Sequence, residues 1–315
     1  MTRRTLMGAM ALAPLAATAA RKEWKPQLGI LGNYTAGNVE FAHSLGYTNM
    51  ILGVGSGAAL DAAKVTPAQI DSVKQTLARN SIGVSALEVV LNHTDPDPGK
   101  RASNNDYFVK AIELAGALGV PFIGTMSGNN PAQPFLKQVD EIVRVYHDKY
   151  FAACEKYKVR LCWEPWPEGP NVATSPVGYE ALFKAFNDSP YVGLQYDPSH
   201  FVRQFMDPMQ TARDFARYIY DVHLKDTEIL WPVLRRGGIT PVDHASWWRY
   251  RIPGMGCINW AEFFSILQDA GYQGAMSIEH EDPLYGDGTN RGPDFSAEYK
   301  VGFVMAKRYL AQYVP

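Results

Sequence analysis

Residues 192–200 read VGLQYDPSH, a short apolar run that ends in Asp197 and is followed three residues later by His200. Similar apolar runs recur along the chain, and an amphipathic helix pattern follows most of them. The candidate strands are 28–33, 49–54, 83–90, 121–126, 159–164, 192–197, 220–225 and 275–280. Because strand–helix alternation predicts parallel strands covered by helices, eight such units predict an α/β fold closed into a (β/α)₈ barrel. A doubly wound open sheet is the alternative, but no Gly-rich dinucleotide fingerprint follows the first strand.

The composition is typical of a globular protein and excludes several functional classes. The 315 residues carry 30 Lys and Arg against 32 Asp and Glu, and 46% of them are hydrophobic. A net charge of −2 does not favour a nucleic-acid partner, which needs a broad basic surface. We find no apolar run of the roughly 18 residues that a membrane-spanning helix requires. A homo-oligomer is compatible with this composition but is not indicated by it.

The first 19 residues have the three parts of an export signal. Paired arginines, Arg3 and Arg4, precede the apolar stretch LMGAMALAPL (6–15), and Ala17-Thr18-Ala19 matches a small-residue cleavage site. This pattern predicts a twin-arginine-type signal peptide over 1–19 and an exported, periplasmic protein. Residues 20–315 would then form a single barrel with a net charge of −4. The alternative is a cytosolic protein with a basic tail.

Four consecutive strands of the predicted barrel end in, or carry, an ionisable side chain. These residues are Glu164, Asp197, His223 and Glu279. Each has an ordinary structural interpretation by itself, but functional side chains of such barrels lie at the carboxyl ends of strands. Their recurrence at equivalent positions predicts one divalent metal ion, with Mn²⁺, Mg²⁺ or Co²⁺ favoured over Zn²⁺.

The alternation of side chains along a strand refines this prediction. Lys225 should point into the same region as His223, because the two lie two residues apart. By the same rule His280 should point toward the helices, and both His280 and Glu281 are weaker site candidates than Glu279. The irregular segment 227–258, which contains three tryptophans, follows the seventh strand and is predicted to overhang the catalytic face as an insertion.

The strand-end residues resemble the sugar phosphate isomerase/epimerase superfamily, which has the xylose isomerase-like TIM barrel, over roughly residues 27–312. This superfamily includes ketose 3-epimerases, hydroxypyruvate isomerases, inosose dehydratases and the endonuclease IV branch. The resemblance implies that Glu164, Asp197, His223 and Glu279 bind the metal and that His200 lies beside the substrate. The segment from Arg249 to Trp260 is similar to a family segment whose arginine contacts substrate oxygens. It leaves open whether Arg249 or Arg251 has that role. Trp166 is a candidate for stacking on a sugar, or for anchoring its loop.

Such a site predicts chemistry at a carbon next to a carbonyl. A divalent ion would stabilise the enediolate that forms when the proton is removed, with Glu164 and Glu279 as general base and acid. Depending on where the proton returns, the reaction is epimerisation or isomerisation of a small carbohydrate. The alternative is a lyase that eliminates the anomeric substituent of a 3-keto-glycoside. Export and the lack of a phosphate-binding loop favour an unphosphorylated sugar or keto-sugar.

Two further classes of function remain open from sequence. A phosphodiesterase like the endonuclease IV branch would need additional ligands, for which His93 and Asp243-His244 are the candidates. The second class is a barrel that binds a ligand without catalysis. A cluster of buried, unpaired acids argues against it, because without a metal such a cluster costs folding free energy.

Overall fold

The computed structural model describes residues 24–286 and 292–314. The predicted signal peptide, residues 1–19, lies outside the described residues. Ten strands are present in the described part of the chain. They are β1 (Gln27–Gly32), β2 (Asn49–Gly53), β3 (Gly83–Glu88), β4 (Phe122–Thr125), β5 (Arg160–Trp163), β6 (Val192–Tyr196), β7 (Ile219–Leu224), β8 (Asp226–Ile229), β9 (Trp248–Arg251) and β10 (Ala275–Ile278).

Eight of these strands close into a parallel barrel in the order β1-β10-β7-β6-β5-β4-β3-β2. Each of the eight overlaps one of the strands predicted from the sequence, so the predicted (β/α)₈ barrel is confirmed. Closure is made by β1, whose Gln27–Ile30 pair in register with Ala275–Ile278 of β10. The remaining two strands, β8 and β9, form an antiparallel hairpin that begins at Asp226, one residue before the predicted insertion 227–258.

Helices surround the barrel and most of them bury an apolar face, whereas α9, in the insertion, has no buried residue. They are α1 (Ala36–Ser44), α2 (Pro67–Arg79), α3 (Pro98–Leu118), α4 (Phe135–Val145), α5 (Phe151–Tyr157), α6 (Pro176–Ala185), α7 (Ser199–Val202), α8 (Pro208–Phe215), α9 (Trp231–Gly237), α10 (Trp260–Asp269) and α11 (Ala297–Leu310). A π-helical stretch, Tyr146–Tyr150, joins α4 to α5, and a 3₁₀ turn, Ala216–Tyr218, follows α8. None of the helices in the described ranges has the length and apolarity needed to cross a membrane.

Local sequence signals fix where several helices begin and end. Helices α2, α3, α6 and α8 each start with a capping side chain followed by proline, as in Thr66-Pro67 and Asp97-Pro98. The capping oxygen accepts a backbone hydrogen bond, and proline is favoured in the first turn because its missing N–H has no partner there. Helix α3 ends at Gly119, whose φ of 76° is the left-handed conformation that glycine adopts without strain. These signals set where the helices begin and end, and the parallel order of the barrel strands brings their carboxyl ends to one rim.

Candidate metal centre

The four strand-end residues predicted as ligands converge on one point of this rim. Glu164 directly follows β5, Asp197 follows β6, His223 lies in β7, and Glu279 follows β10. One potential ligand atom from each residue lies within 4.8 Å of those of the other three. Strands β5, β6, β7 and β10 are consecutive neighbours in the barrel wall, which explains why residues 115 positions apart in sequence meet.

The chemistry and burial of this group fit a divalent cation. Three carboxylates and one imidazole form an oxygen-and-nitrogen set that suits first-row divalent ions. His223 Nδ1 lies 3.2 Å from Glu164 Oε1 and 2.9 Å from Glu279 Oε2, and its buried Nε2 has no hydrogen-bond partner. Because buried acids so close together repel one another, a cation among them would lower the energy of the folded state.

Lys225 supplies positive charge to the same cluster. Its side chain is only 1% exposed, and its Nζ lies 2.7 Å from Glu279 Oε2, 2.9 Å from Glu281 Oε2 and 3.2 Å from Asp197 Oδ2. Burial by itself would lower the pKa of Lys225, but the surrounding carboxylates, Glu279 first, raise it well above its usual range. Lys225 points toward the same cluster as His223, as the alternation rule predicts.

Glu164 is held in its charged form although it is buried. Burial would raise its pKa, but hydrogen bonds from His200 and His223 and the nearby charge of Lys225 hold the pKa well below its usual range. Glu279 is subject to the same competition, and its pKa is also lowered, with Lys225 the main stabilising charge. Both glutamates are therefore available as carboxylates, the form that binds a cation or accepts a proton.

His200 is oriented by a chain of hydrogen bonds that reaches from the insertion. Its Nε2 lies 3.2 Å from Glu164 Oε1, and its Nδ1 lies 2.8 Å from the hydroxyl of Tyr250 on β9. Arg203 Nη1 donates to that hydroxyl at 2.7 Å. Because arginine can only donate, the Tyr250 hydroxyl accepts from it, and because two carboxylates, Glu164 and Asp197, face His200 Nε2, the hydroxyl donates its own proton to Nδ1. This assignment leaves the hydrogen of His200 on Nε2, facing Glu164.

A cavity of about 380 Å³ opens directly above the centre. It is lined by Glu164, Glu279, Lys225 and His200, and by Trp166 and Tyr250, among others. Trp166 lines the cavity and also packs on Gly169 of its own loop, so its position fits both roles considered for it from sequence, stacking on a sugar and anchoring the loop. Glu281, ranked below Glu279 from sequence, also lines the cavity and pairs with Lys225, because the chain continues along the rim after β10 ends.

The two arginines considered for substrate contact are placed elsewhere. Arg249 Nε lies 2.7 Å from Glu228 Oε2, and Arg251 Nε lies 2.7 Å from Asp282 Oδ2. Neither arginine lines the cavity, because these carboxylates hold both guanidinium groups along the β8–β9 hairpin. Arg203, which was not singled out from sequence, lines the cavity instead.

The glycine-rich segment after β9 folds around one buried carboxylate. Asp226 Oδ2 accepts hydrogen bonds from the backbone N–H of Gly254 at 3.0 Å and from Trp260 Nε1 at 2.9 Å. Its Oδ1 accepts from the N–H of Ile258 at 3.1 Å. A Cβ at Gly256 would lie 2.2 Å from Asp226 Oδ1, so only glycine lets the backbone approach this closely. The segment therefore closes the base of the insertion.

Sequence reasoning missed Glu88, a half-buried residue at the end of β3. Both of its carboxylate oxygens are buried without a hydrogen-bond partner, and the residue lines the cavity with Glu164 and Glu279. Burial, reinforced by the charge of Glu164, raises the pKa of Glu88 to about 8. The available signal was a lone acid in the apolar run GVSALEVV (83–90), the same pattern that marks Glu164 in VRLCWE.

The extra ligands required by a phosphodiesterase are not brought to the centre. His93 is buried in the helix layer, where its Nδ1 lies 2.8 Å from the Tyr150 hydroxyl and its Nε2 lies 3.0 Å from Thr125 Oγ1. Asp243 and His244 are exposed in the insertion. His280 packs on the Tyr299 ring of α11, 4.0 Å between centroids, so it faces the helices as predicted.

The chain belongs to the xylose isomerase-like TIM barrel family, whose model matches residues 39–299. The uncharacterized protein YfiH of Bacillus subtilis is 30% identical over 241 residues, covering 66% of this chain and 74% of YfiH. The inosose isomerase of Halalkalibacterium halodurans is 25% identical over 228 residues, covering 69% of this chain and 73% of that enzyme. A solved structure of D-psicose 3-epimerase in the presence of D-fructose has a TM-score of 0.64 at 15% identity, covering 91% of this chain and 98% of that one. The family resemblance inferred from the strand-end residues is thereby confirmed.

Proposed function

We propose that this protein is a divalent-metal-dependent isomerase or epimerase of an unphosphorylated sugar or keto-sugar. The observation that carries the proposal is the convergence of Glu164, Asp197, His223 and Glu279 within 4.8 Å of one another, with Glu164 and Glu279 lining an open cavity. The similarity to an inosose isomerase supports the reaction class.

The four converging residues would hold one divalent ion, which when bound supplies positive charge for the enediolate formed from the substrate. Glu164 and Glu279 come from strands on two sides of the cluster, and both are held as carboxylates. One glutamate removes the proton next to the carbonyl, and the other returns a proton. His200, with its Nε2 hydrogen facing the centre, orients a substrate oxygen, and Lys225 offsets the negative charge of the surrounding acids.

The charges around the cavity support an unphosphorylated substrate. Acidic residues lining it include Glu88, Glu164, Glu279 and Glu281. The two basic residues that line it are already paired, Lys225 with Glu279 and Arg203 with Glu168. A phosphate group would meet like charge there without a free cationic partner.

Proton NMR in D₂O, with a panel of free and 3-keto sugars, tests the proposal. With Mn²⁺-loaded protein we expect deuterium to appear at the carbon next to the carbonyl, and the product to identify epimerisation or isomerisation. Loss of the anomeric substituent would instead identify the alternative, a lyase acting on 3-keto-glycosides. Metal-free protein is the control. If metal-loaded protein exchanges no proton in any member of the panel, the proposal is wrong.

We also propose that residues 1–19 direct export to the periplasm. The basis is the sequence pattern alone, Arg3-Arg4 followed by an apolar stretch and a small-residue cleavage site. Replacing both arginines with lysine keeps the charge, and it should retain the protein in the cytoplasm as an uncleaved precursor. Periplasmic accumulation of this double variant at the normal level would contradict a twin-arginine signal.

A further inference from the structure

The cavity above the centre has two chemically different parts. Its floor is charged and includes the buried Glu164 and Lys225 and the half-buried Glu279. Its outer part is lined by Leu31, Val90, Trp166 and Trp248. These four side chains are half-buried or exposed, with Val90 46% exposed. A free monosaccharide bound at the floor would leave this apolar part in contact with water.

Both tryptophans of the outer part are packed against neighbouring groups of the protein. Trp166 packs on the backbone at Gly169, where a Cβ would lie 2.7 Å from the ring atom Cε3. Trp248 carries the guanidinium of Arg203 over its ring, 3.9 Å from the centroid, and the Tyr250 ring packs against it at 4.8 Å. Because each ring is supported in this way, it presents a fixed apolar surface at little cost in side-chain entropy.

The polar groups of this outer part are already used. Arg203 forms an ion pair with Glu168, and Tyr250 bonds to both Arg203 and His200. A second sugar ring would bury hydroxyl groups against the apolar side chains of Leu31 and Val90, and the carboxylates of Glu168 and Glu281 at the same cavity are already in ion pairs with Arg203 and Lys225. An aromatic ring has no such groups, and it gains contact with the two indoles.

We propose that the outer part of the cavity binds a planar aromatic group attached to the sugar, so that the substrate is an aryl glycoside whose keto-sugar ring sits on the charged floor. This inference rests on the proposed function. It adds the substrate class and assigns Trp166 and Trp248 as the aglycone-binding residues.

Calorimetric titration of Mn²⁺-loaded protein with unoxidised glycosides tests binding separately from turnover. The probes are phenyl and methyl D-glucopyranoside, each as both anomers, and cellobiose. We expect at least one phenyl anomer to bind about tenfold more tightly than its methyl counterpart, since tenfold corresponds to about 1.4 kcal/mol, the upper range for an aromatic contact. Trp166→Ala and Trp248→Ala should each reduce this preference to less than threefold.

Two further variants separate the loss of aromatic stacking from a general disruption of the folded structure. Trp166→Phe should restore most of the phenyl preference, because it keeps an aromatic face. Trp231→Ala is the matched control, since Trp231 lies on α9, is 47% exposed and does not line the cavity. Metal content and circular dichroism should be unchanged in all four variants.

The inference is overturned if phenyl and methyl glycosides bind equally, if neither binds at attainable concentrations, or if cellobiose binds more tightly than the phenyl glycosides. It is also overturned if the phenyl preference survives both alanine substitutions. Failure of the proposed function has a different signature. In that case the phenyl preference is present, but the 3-keto forms of the same glycosides exchange no proton in D₂O.

Discussion

The two halves of the barrel wall differ sharply in what they present to the cavity. Strands β5, β6, β7 and β10, here called the charged half, bring Glu164, Asp197, His223 and Glu279 together. Strands β1 to β4, here called the open half, contribute mainly apolar or small residues at the same rim. Leu31 and Gly53 are among them, and Glu88 is an acidic exception. The reactive groups are therefore crowded on one wall of the barrel, and the other wall leaves room for the body of a substrate.

The largest expected effect comes from removing one carboxylate of the charged half. Glu164→Gln and Glu279→Gln each keep size and one oxygen, but lose a charge and a proton acceptor. We expect turnover to fall about 10²–10⁴-fold in each, the range for general acid–base groups. One variant should still exchange the substrate C–H proton with D₂O, whereas the other should not.

Glu180→Gln, an exposed change on α6, is the control for these variants. Metal content is measured in parallel, because loss of the ion would reproduce both defects. Near-normal turnover in both metal-loaded variants would limit the two glutamates to metal binding. His200 or Lys225 would then become the candidate base.

Lys225→Met tests how much the charged half depends on its buried ammonium group. Removing one partner of a buried ion pair typically destabilises a protein by about 3–5 kcal/mol, and Lys225 contacts several carboxylates. We expect a loss of that order in the free energy of unfolding of the metal-free protein. Added Mn²⁺ should restore part of it. Denaturant unfolding of this variant and of the exposed control Lys184→Met measures the effect. A loss below about 1 kcal/mol would show that the cluster does not need this charge.

In the open half, His93 is expected to make the free energy of unfolding fall at acidic pH. Burial lowers the pKa of His93 to about 3, whereas an unfolded histidine titrates near 6.5. Between these values the unfolded state binds the proton and the folded state does not. Stability is therefore lost as the pH falls below about 6.5, by up to about 1.4 kcal/mol per pH unit.

His93→Gln should reduce this slope, and the exposed His147→Gln should not. Unfolding free energies measured from pH 7 to pH 4.5 give the comparison. Equal slopes in the His93 variant and the unmodified protein would contradict the assignment.

The smallest effect is expected for Glu88→Gln. This substitution is the same change as Glu164→Gln and Glu279→Gln, but it is made in the open half. With its pKa raised to about 8, the Glu88 carboxyl is largely protonated at pH 7 and already resembles an amide in charge and shape. We expect turnover within about threefold of normal at pH 7, because glutamine preserves both properties. The two variants, Glu88→Gln and Glu164→Gln, are assayed side by side. A loss of turnover in Glu88→Gln as large as that in Glu164→Gln would contradict the distinction between the two halves.

Much of the fold and of the centre could be predicted because both depend on local patterns. An apolar run that ends in an acid identifies a strand end, and parallel strands bring such ends to one rim, so Glu164 and Asp197 were found from six-residue windows. Glu88 was missed because the predicted strand 83–90 extended two residues beyond the observed end at Glu88, which placed the carboxylate inside the strand.

Contacts between distant segments could not be inferred in this way. Tyr250 reaches His200 across 50 residues, and it does so only because β9 pairs with β8 in an antiparallel hairpin. The pairing of Arg251 with Asp282 is likewise set by tertiary structure, so a family-like sequence segment around Arg251 did not reveal where its guanidinium lies.

Asp226 holds the base of the insertion together, which makes the rest of the insertion a place for engineering. Asp226 directly follows Lys225, and its hydrogen bonds to Gly254, Ile258 and Trp260 fix the point where the chain returns to the barrel. Residues 231–247, which contain α9, lie beyond this anchor and beyond the β8–β9 pairing. None of these residues lines the cavity, so loops of other lengths grafted there should leave the metal-binding residues in place.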